Sequence, residues 1–254
     1  MKYIEKMHEL KVFHKKDVVA LTGNENAAKE ILRRYKKQAL LSQVRRDLYV
    51  SNHLASKMSL ANTFEIASQI TPSSYLAYHT ALAYHGLAHQ LFNEVYVSSV
   101  EAFSPFEFEG MGYVYCQSKS LAGVVRPVTD PLVCVTDLER TVVDCIDRID
   151  LSGGLEELVA CVGVITYIDE AKLLGYLRGF GKQALYQKAG FILAYFQKEM
   201  QLSEGFFACC KANTGKSVRY LTHKQESDTY FKEWGLCAPQ NILSFLEQGG
   251  SEYV

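Results

Sequence analysis

The chain has 254 residues, 48% of them apolar, 22% charged and 12% aromatic, which excludes a disordered, collagen-like or purely coiled-coil protein. Its net charge of −1 hides a division: residues 1–52 hold twelve Lys/Arg and six Asp/Glu, a surplus of +6, leaving 27 − 12 = 15 basic and 28 − 6 = 22 acidic side chains, or −7, for the rest. A basic head on an acidic body is the footprint of a nucleic-acid-binding module, and equally of a lysine-rich surface helix pair.

The pattern inside the head decides between them. Tyr3, Met7 and Leu10, with Ile4 beside them, share one face of a short helix. A second helix is expected over 14–21, with Val18 and Leu21 inward and Phe13 stapling its start. Gly23 follows, where a left-handed stop costs a glycine least, and Asn24 is placed to cap a third helix. There Ala28, Ile31, Leu32 and Tyr35 form an apolar stripe, and the opposite side carries Asn26, Lys29, Glu30, Arg33, Lys36 and Lys37. Long donors and an amide are the side chains that reach base edges and phosphates. Two helices joined by a short Gly-containing turn make a helix-turn-helix. Leu40-Leu41-Ser42-Gln43-Val44 and Leu48-Tyr49-Val50 then flank Arg45-Arg46-Asp47 as a hairpin, so the head is expected to be a winged helix-turn-helix. Arg45 and Arg46 at the wing tip are placed for phosphate or a minor groove.

A polar stretch over 51–62 reads as the connection, giving a DNA-binding domain of 1–55 and a second domain of 56–254. In the second, a helix is expected over 75–86, strands over 94–99, 106–108, 112–117 and 124–125, and Val133-Cys134-Val135 leading into Thr136-Asp137-Leu138-Glu139. The last is a Thr-x-x-Glu capping box for a helix through 146. A turn at Ser152-Gly153-Gly154, with both glycines architectural, precedes helices over 155–162, 169–177 and 182–199. Short extended pieces near 219–221 and 230–236 and a closing helix over 241–248 complete the chain. The fold class is therefore α+β: the winged head, then a mixed domain with a small sheet and several helices.

Catalytic signals are weak. Asn213-Thr214-Gly215-Lys216-Ser217 ends like a phosphate-binding loop, but Cys210 stands where that loop requires its first glycine. His79, His85 and His89 lie near helical spacing without a further ligand close in sequence, so no metal is assigned. Asp137, Glu139 and Asp144 could hold a divalent ion for a nuclease or nucleotidyltransferase aimed by the head. Capping by Glu139 and an i,i+4 pair of Asp144 with Arg140 explain them better. No catalytic residue, cofactor or metal is assigned. Charged residues at 1–6, and no apolar run near the roughly 20 residues of a membrane span, predict a cytoplasmic protein. Seven cysteines, with no Cys-x-x-Cys, read as reduced thiols.

The winged head, Tyr75-Leu76-Ala77-Tyr78-His79-Thr80-Ala81-Leu82-Ala83-Tyr84-His85-Gly86-Leu87, and Val135-Thr136-Asp137-Leu138-Glu139-Arg140-Thr141-Val142-Val143-Asp144 together resemble the AbiEi abortive-infection antitoxins. Ser152-Gly153-Gly154-Leu155-Glu156-Glu157 and Trp234-Gly235-Leu236 resemble later blocks of that family, in the same order. The resemblance implies a bacterial regulator of a type IV toxin–antitoxin system acting in phage defence. Such a protein binds double-stranded operator DNA, represses its own operon and counters a nucleotidyltransferase-like toxin without a stable complex. One departure is the wing turn, where Asp47 stands in place of the glycine common in such wings.

Overall fold

The computed structural model describes residues 3–223, 226, 228–242 and 244. The protein is α+β and divides into two compact units: Met1–Leu76 with Asn93–Ala122 and Arg126–Val135, and Ala77–Phe92 with Gly123–Val125 and Thr136–Val254. The boundary expected near residue 55 does not part them.

In the first unit, α1 (Ile4–Leu10) is followed by β1 (Val12–His14), α2 (Lys15–Thr22), α3 (Glu25–Lys37), β2 (Leu41–Arg45) and β3 (Leu48–Ser51). Gly23 closes α2 at φ +71°, and the Asn24 carboxamide accepts from the N–H groups of Asn26 and Ala27 at 2.8 and 3.0 Å, opening α3. Phe13 and Val18 belong to one buried cluster with Met7, Leu32 and Tyr35, as the stapling pattern implied. Strand β1 was not foreseen. Its three residues pair antiparallel with β3, which also pairs with β2, so the sheet order is β1-β3-β2. The hairpin turns through Asp47 at φ +61°, a left-handed conformation aspartate tolerates better than most residues.

The expected linker starts inside the head, although residues 53–58 are exposed. Ser51 and Asn52 are buried; the Ser51 hydroxyl donates to Met7 O at 2.8 Å, and the Asn52 amide donates to Ser42 Oγ at 2.9 Å. Helix α4 (Thr63–Ser68) follows, closed at its start by reciprocal bonds between Asn62 and Glu65 at 2.8 and 2.9 Å. The other Glu65 oxygen accepts from Lys11 Nζ at 2.6 Å, fastening the head to α4. Beyond α4 lie β4 (Tyr75–Leu76), β5 (Glu94–Ser99), β6 (Phe106–Phe108) and β7 (Met111–Gln117). With β9 (Val135–Thr136) they run in the order β6-β7-β5-β4-β9. The helix expected over 75–86 is thus a strand before α5 (Tyr78–Tyr84), because Tyr75 and Leu76 pair with β5 and Leu76 also pairs with Val135.

The second unit is helical around one core. It holds α5, β8 (Val124–Val125), α6 (Leu138–Asp147), α7 (Leu155–Gly163), α8 (Glu170–Phe180), α9 (Gln183–Ala194) and α10 (Glu204–Ala212). A small sheet follows, with β10 (Arg219–Tyr220), β11 (Thr229–Phe231) and β12 (Leu236–Ala238) ordered β10-β12-β11. The helix expected over 182–199 ends at Ala194, and α10 was not anticipated. The closing helix expected over 241–248 lies outside the described residues beyond 244. Gly153 sits at φ +86°, and a Cβ there would lie 2.8 Å from Glu157 Cγ and 3.2 Å from the Phe92 ring, so its architectural role is steric as well as conformational.

Candidate nucleic-acid interface

Helix α3 is thirteen residues long and two-sided. Ala28, Leu32 and Tyr35 are buried at 0%, 4% and 1% exposure, and this seam fixes the rotation of the helix. Asn26, Lys29, Arg33, Lys36 and Lys37 are all exposed. Basic side chains in the last turn also complement the helix dipole.

The exposed charges are organised. Glu25 Oε1 receives Lys15 Nζ from α2 at 2.8 Å and Lys29 Nζ at 3.2 Å, which holds its carboxyl below the ordinary carboxylate range. Glu30 receives Arg33 through two parallel bonds, Nε to Oε2 at 3.1 Å and Nη2 to Oε1 at 2.8 Å; hydrogen bonding to Arg33 likewise lowers its carboxyl. Lys36 Nζ donates to Gln43 Oε1 at 2.5 Å, joining the end of α3 to β2. Lys37 has no ion-pair partner among the described residues. The sequence pattern identified the cations of this face but not the pairing carried by Glu25 and Glu30, nor the contribution of Lys15. Glu30 at i−3 from Arg33 was the available signal.

The two arginines of the hairpin part company. Arg46 is 94% exposed at the tip, 3.7 Å from Asp47. Arg45 is half-buried, with its guanidinium 5.4 Å from the Phe103 ring centre and 5.3 Å from that of Phe106. It packs between the hairpin and these two rings, a placement the sequence reading did not anticipate. The physical reason is that β2 places Arg45 against two aromatic rings far along the chain, and a guanidinium stacks on such rings at little hydration cost.

The carboxylates weighed as a metal site have other partners. Asp137, not Thr136, caps α6, its Oδ1 accepting from Arg140 N at 2.9 Å and its Oδ2 from the Tyr176 hydroxyl at 2.7 Å. Glu139 accepts from Asp169 N at 3.1 Å and Lys172 Nζ at 3.3 Å, so the capping box read from Thr136 does not form. A Thr-Asp pair offers two candidate caps; aspartate is the stronger N-cap, and the Thr136 hydroxyl is paired with that of Thr141 at 2.7 Å. Asp144 pairs with Arg140 at 2.7 Å, the i,i+4 pair expected. Of the three histidines weighed with them, His79 and His85 have engaged rings, and His89 bonds through its backbone. His79 Nε2 lies 3.1 Å from Glu157 Oε1, His85 Nε2 lies 2.8 Å from Thr136 O, and the His89 N–H donates to Glu157 at 2.9 Å. Among the described residues no cluster of His, Cys, Asp and Glu could hold a metal ion, and no helix is long and apolar enough to cross a membrane. Around 213–217 the phosphate-loop likeness fails structurally too, since helix α10 precedes the segment and β10 follows it.

The fold defines a class, an α+β chain with a helical second unit, and solved structures share it. The crystal structure of the RV2827C protein from Mycobacterium tuberculosis is similar at a TM-score of 0.64 and 14% identity, over 94% of this chain and 90% of that one. At that identity the likeness concerns the fold alone. No protein-family model matches the sequence, and no curated protein matches it.

Proposed function

We propose that the chain is a DNA-binding transcriptional regulator whose head is a winged helix-turn-helix, with α3 the recognition helix and the β2–β3 hairpin the wing. The observation that carries this reading is the exposure of Asn26, Lys29, Arg33 and Lys37 opposite the buried seam of α3. An amide matches adenine, a guanidinium fork matches guanine, and lysines suit phosphates. Lys36 and Arg46 extend the cationic face toward the wing, and Arg45 braces it from behind.

Together with the resemblance to the AbiEi antitoxins, this reading extends to a non-enzymatic cytoplasmic antitoxin. It represses its own operon and counters a nucleotidyltransferase-like toxin without a stable complex. The rival reading, a metal-dependent nucleic-acid-modifying enzyme, lacks a supporting observation, since Asp137, Glu139 and Asp144 each hold protein partners.

The deciding experiment is fluorescence anisotropy with a labelled duplex covering the DNA upstream of the gene. Salt-dependent binding, tighter than to an unrelated duplex and weakened in Arg33→Ala, is the expected result. No binding even at low salt overturns the proposal. Rescue of growth on co-expression with the protein of the adjacent reading frame tests the antitoxin part separately.

A further inference from the structure

We infer that Glu30 sets the sequence selectivity of this face by holding Arg33 in position for a guanine. The inference rests on the DNA-binding reading above and deepens it. A guanidinium has two hydrogen-bonding edges. Glu30 occupies one of them, through Nε at 3.1 Å and Nη2 at 2.8 Å. The other edge, Nη1 with the remaining N–H of Nη2, has no partner among the described residues, and Arg33 is 73% exposed. Two parallel donors on one edge match the O6 and N7 acceptors that guanine presents in the major groove.

An unheld arginine wanders over many rotamers and must surrender them on binding. The Glu30 fork restricts Arg33 beforehand, so a base in register gains both bonds at smaller entropic cost. Glu30 also brings a negative charge to a surface that must approach phosphates, weakening attachment to any duplex regardless of sequence. The first effect widens the gap between a guanine-bearing site and random DNA, while the second lowers affinity for every duplex alike.

Glu25 supplies the internal control. It lies on the same helix and also neutralises cations, but its partners are the ammonium groups of Lys15 and Lys29, at 2.8 and 3.2 Å, which present no planar edge to orient. Removing Glu25 changes charge alone; removing Glu30 changes charge and the aim of Arg33.

The experiment selects binders from a randomised duplex pool with the full-length protein, then replaces each enriched guanine by 7-deazaguanine, which lacks the N7 acceptor. Wild type is expected to lose about tenfold in affinity at one such position, the scale of a bidentate base contact. Glu25→Ala keeps that loss, whereas Glu30→Ala reduces it to about threefold or less; both variants bind unrelated duplex more tightly than wild type. Full guanine discrimination in Glu30→Ala overturns the inference, as does binding by wild type without guanine preference, and each leaves DNA binding intact. Failure of wild type to retain any duplex removes the DNA-binding reading and this inference together. Both glutamates are exposed, so either variant should keep the fold, checked by its circular dichroism.

Discussion

Helices α3 and α6 are written in nearly the same alphabet, each pairing an arginine with a carboxylate one turn away above an apolar stripe. The pair lengths are alike, 2.8 Å for Arg33–Glu30 and 2.7 Å for Arg140–Asp144. Their surroundings are not: the first pair is 73% and 60% exposed, the second 9% and 5%. An exposed ion pair contributes about 0–1 kcal/mol and can trade its partner for a phosphate. A buried pair cannot be opened without stranding a charge in a poorly solvated site. Spacing therefore makes both pairs, but burial decides which is open to solvent and which is a strut.

The sharpest way to break this contrast is to delete each arginine. Arg140→Ala leaves Asp144 buried without its cation and removes the guanidinium from the Tyr176 and Phe180 rings, and is expected to cost about 3–5 kcal/mol of stability. Arg33→Ala should leave stability nearly unchanged, while weakening selective DNA binding. Urea denaturation of both variants checks the first statement; equal destabilisation would contradict the contrast.

A pH series sharpens it further. Burial lifts the Asp144 carboxyl from 3.8 to about 6, against the opposing pull of Arg140. The folded protein therefore binds this proton more tightly than the unfolded chain does. The contribution is fully present below pH about 4 and is lost as pH rises toward about 6. Asp144→Asn should flatten that part of the stability profile, measured as denaturation midpoints against pH. By contrast, Glu30, lowered by Arg33, would contribute stability at higher pH and lose it on acidification, in the opposite sense.

The hairpin arginines repeat the comparison on a smaller scale. Arg45→Ala should lower stability by about 0.5–2 kcal/mol through loss of the Phe103 and Phe106 stack, seen as a lower melting temperature. Arg46→Ala should leave melting unchanged and act only on DNA affinity. The smallest expected effect is that of Lys37→Ala, which should flatten the salt dependence of binding by about one unit of slope without altering sequence preference.

What the sequence disclosed follows the reach of the forces involved. The head helices were legible because Gly23, Asn24 and the Ala28–Leu32–Tyr35 stripe act within a turn or two. The exposed cations of the site were legible for the same reason. Strand β1 was not, since three residues between helices carry no periodicity and their pairing is supplied by β3. Tyr75 and Leu76 read as helix because their strand partners lie in distant segments. The role of Arg45 was hidden likewise by Phe103 and Phe106, and the cap of α6 by competition between neighbouring Thr136 and Asp137.

That stack of Arg45 on two rings has an entropic meaning. On the proposed DNA-binding reading, a hairpin tethered to the Phe103 and Phe106 rings, and joined to α3 through Lys36 and Gln43, would approach a duplex already shaped. It has little disorder left to surrender on docking, so any mutual fitting falls to the nucleic acid, whose bendability would then be read along with its bases.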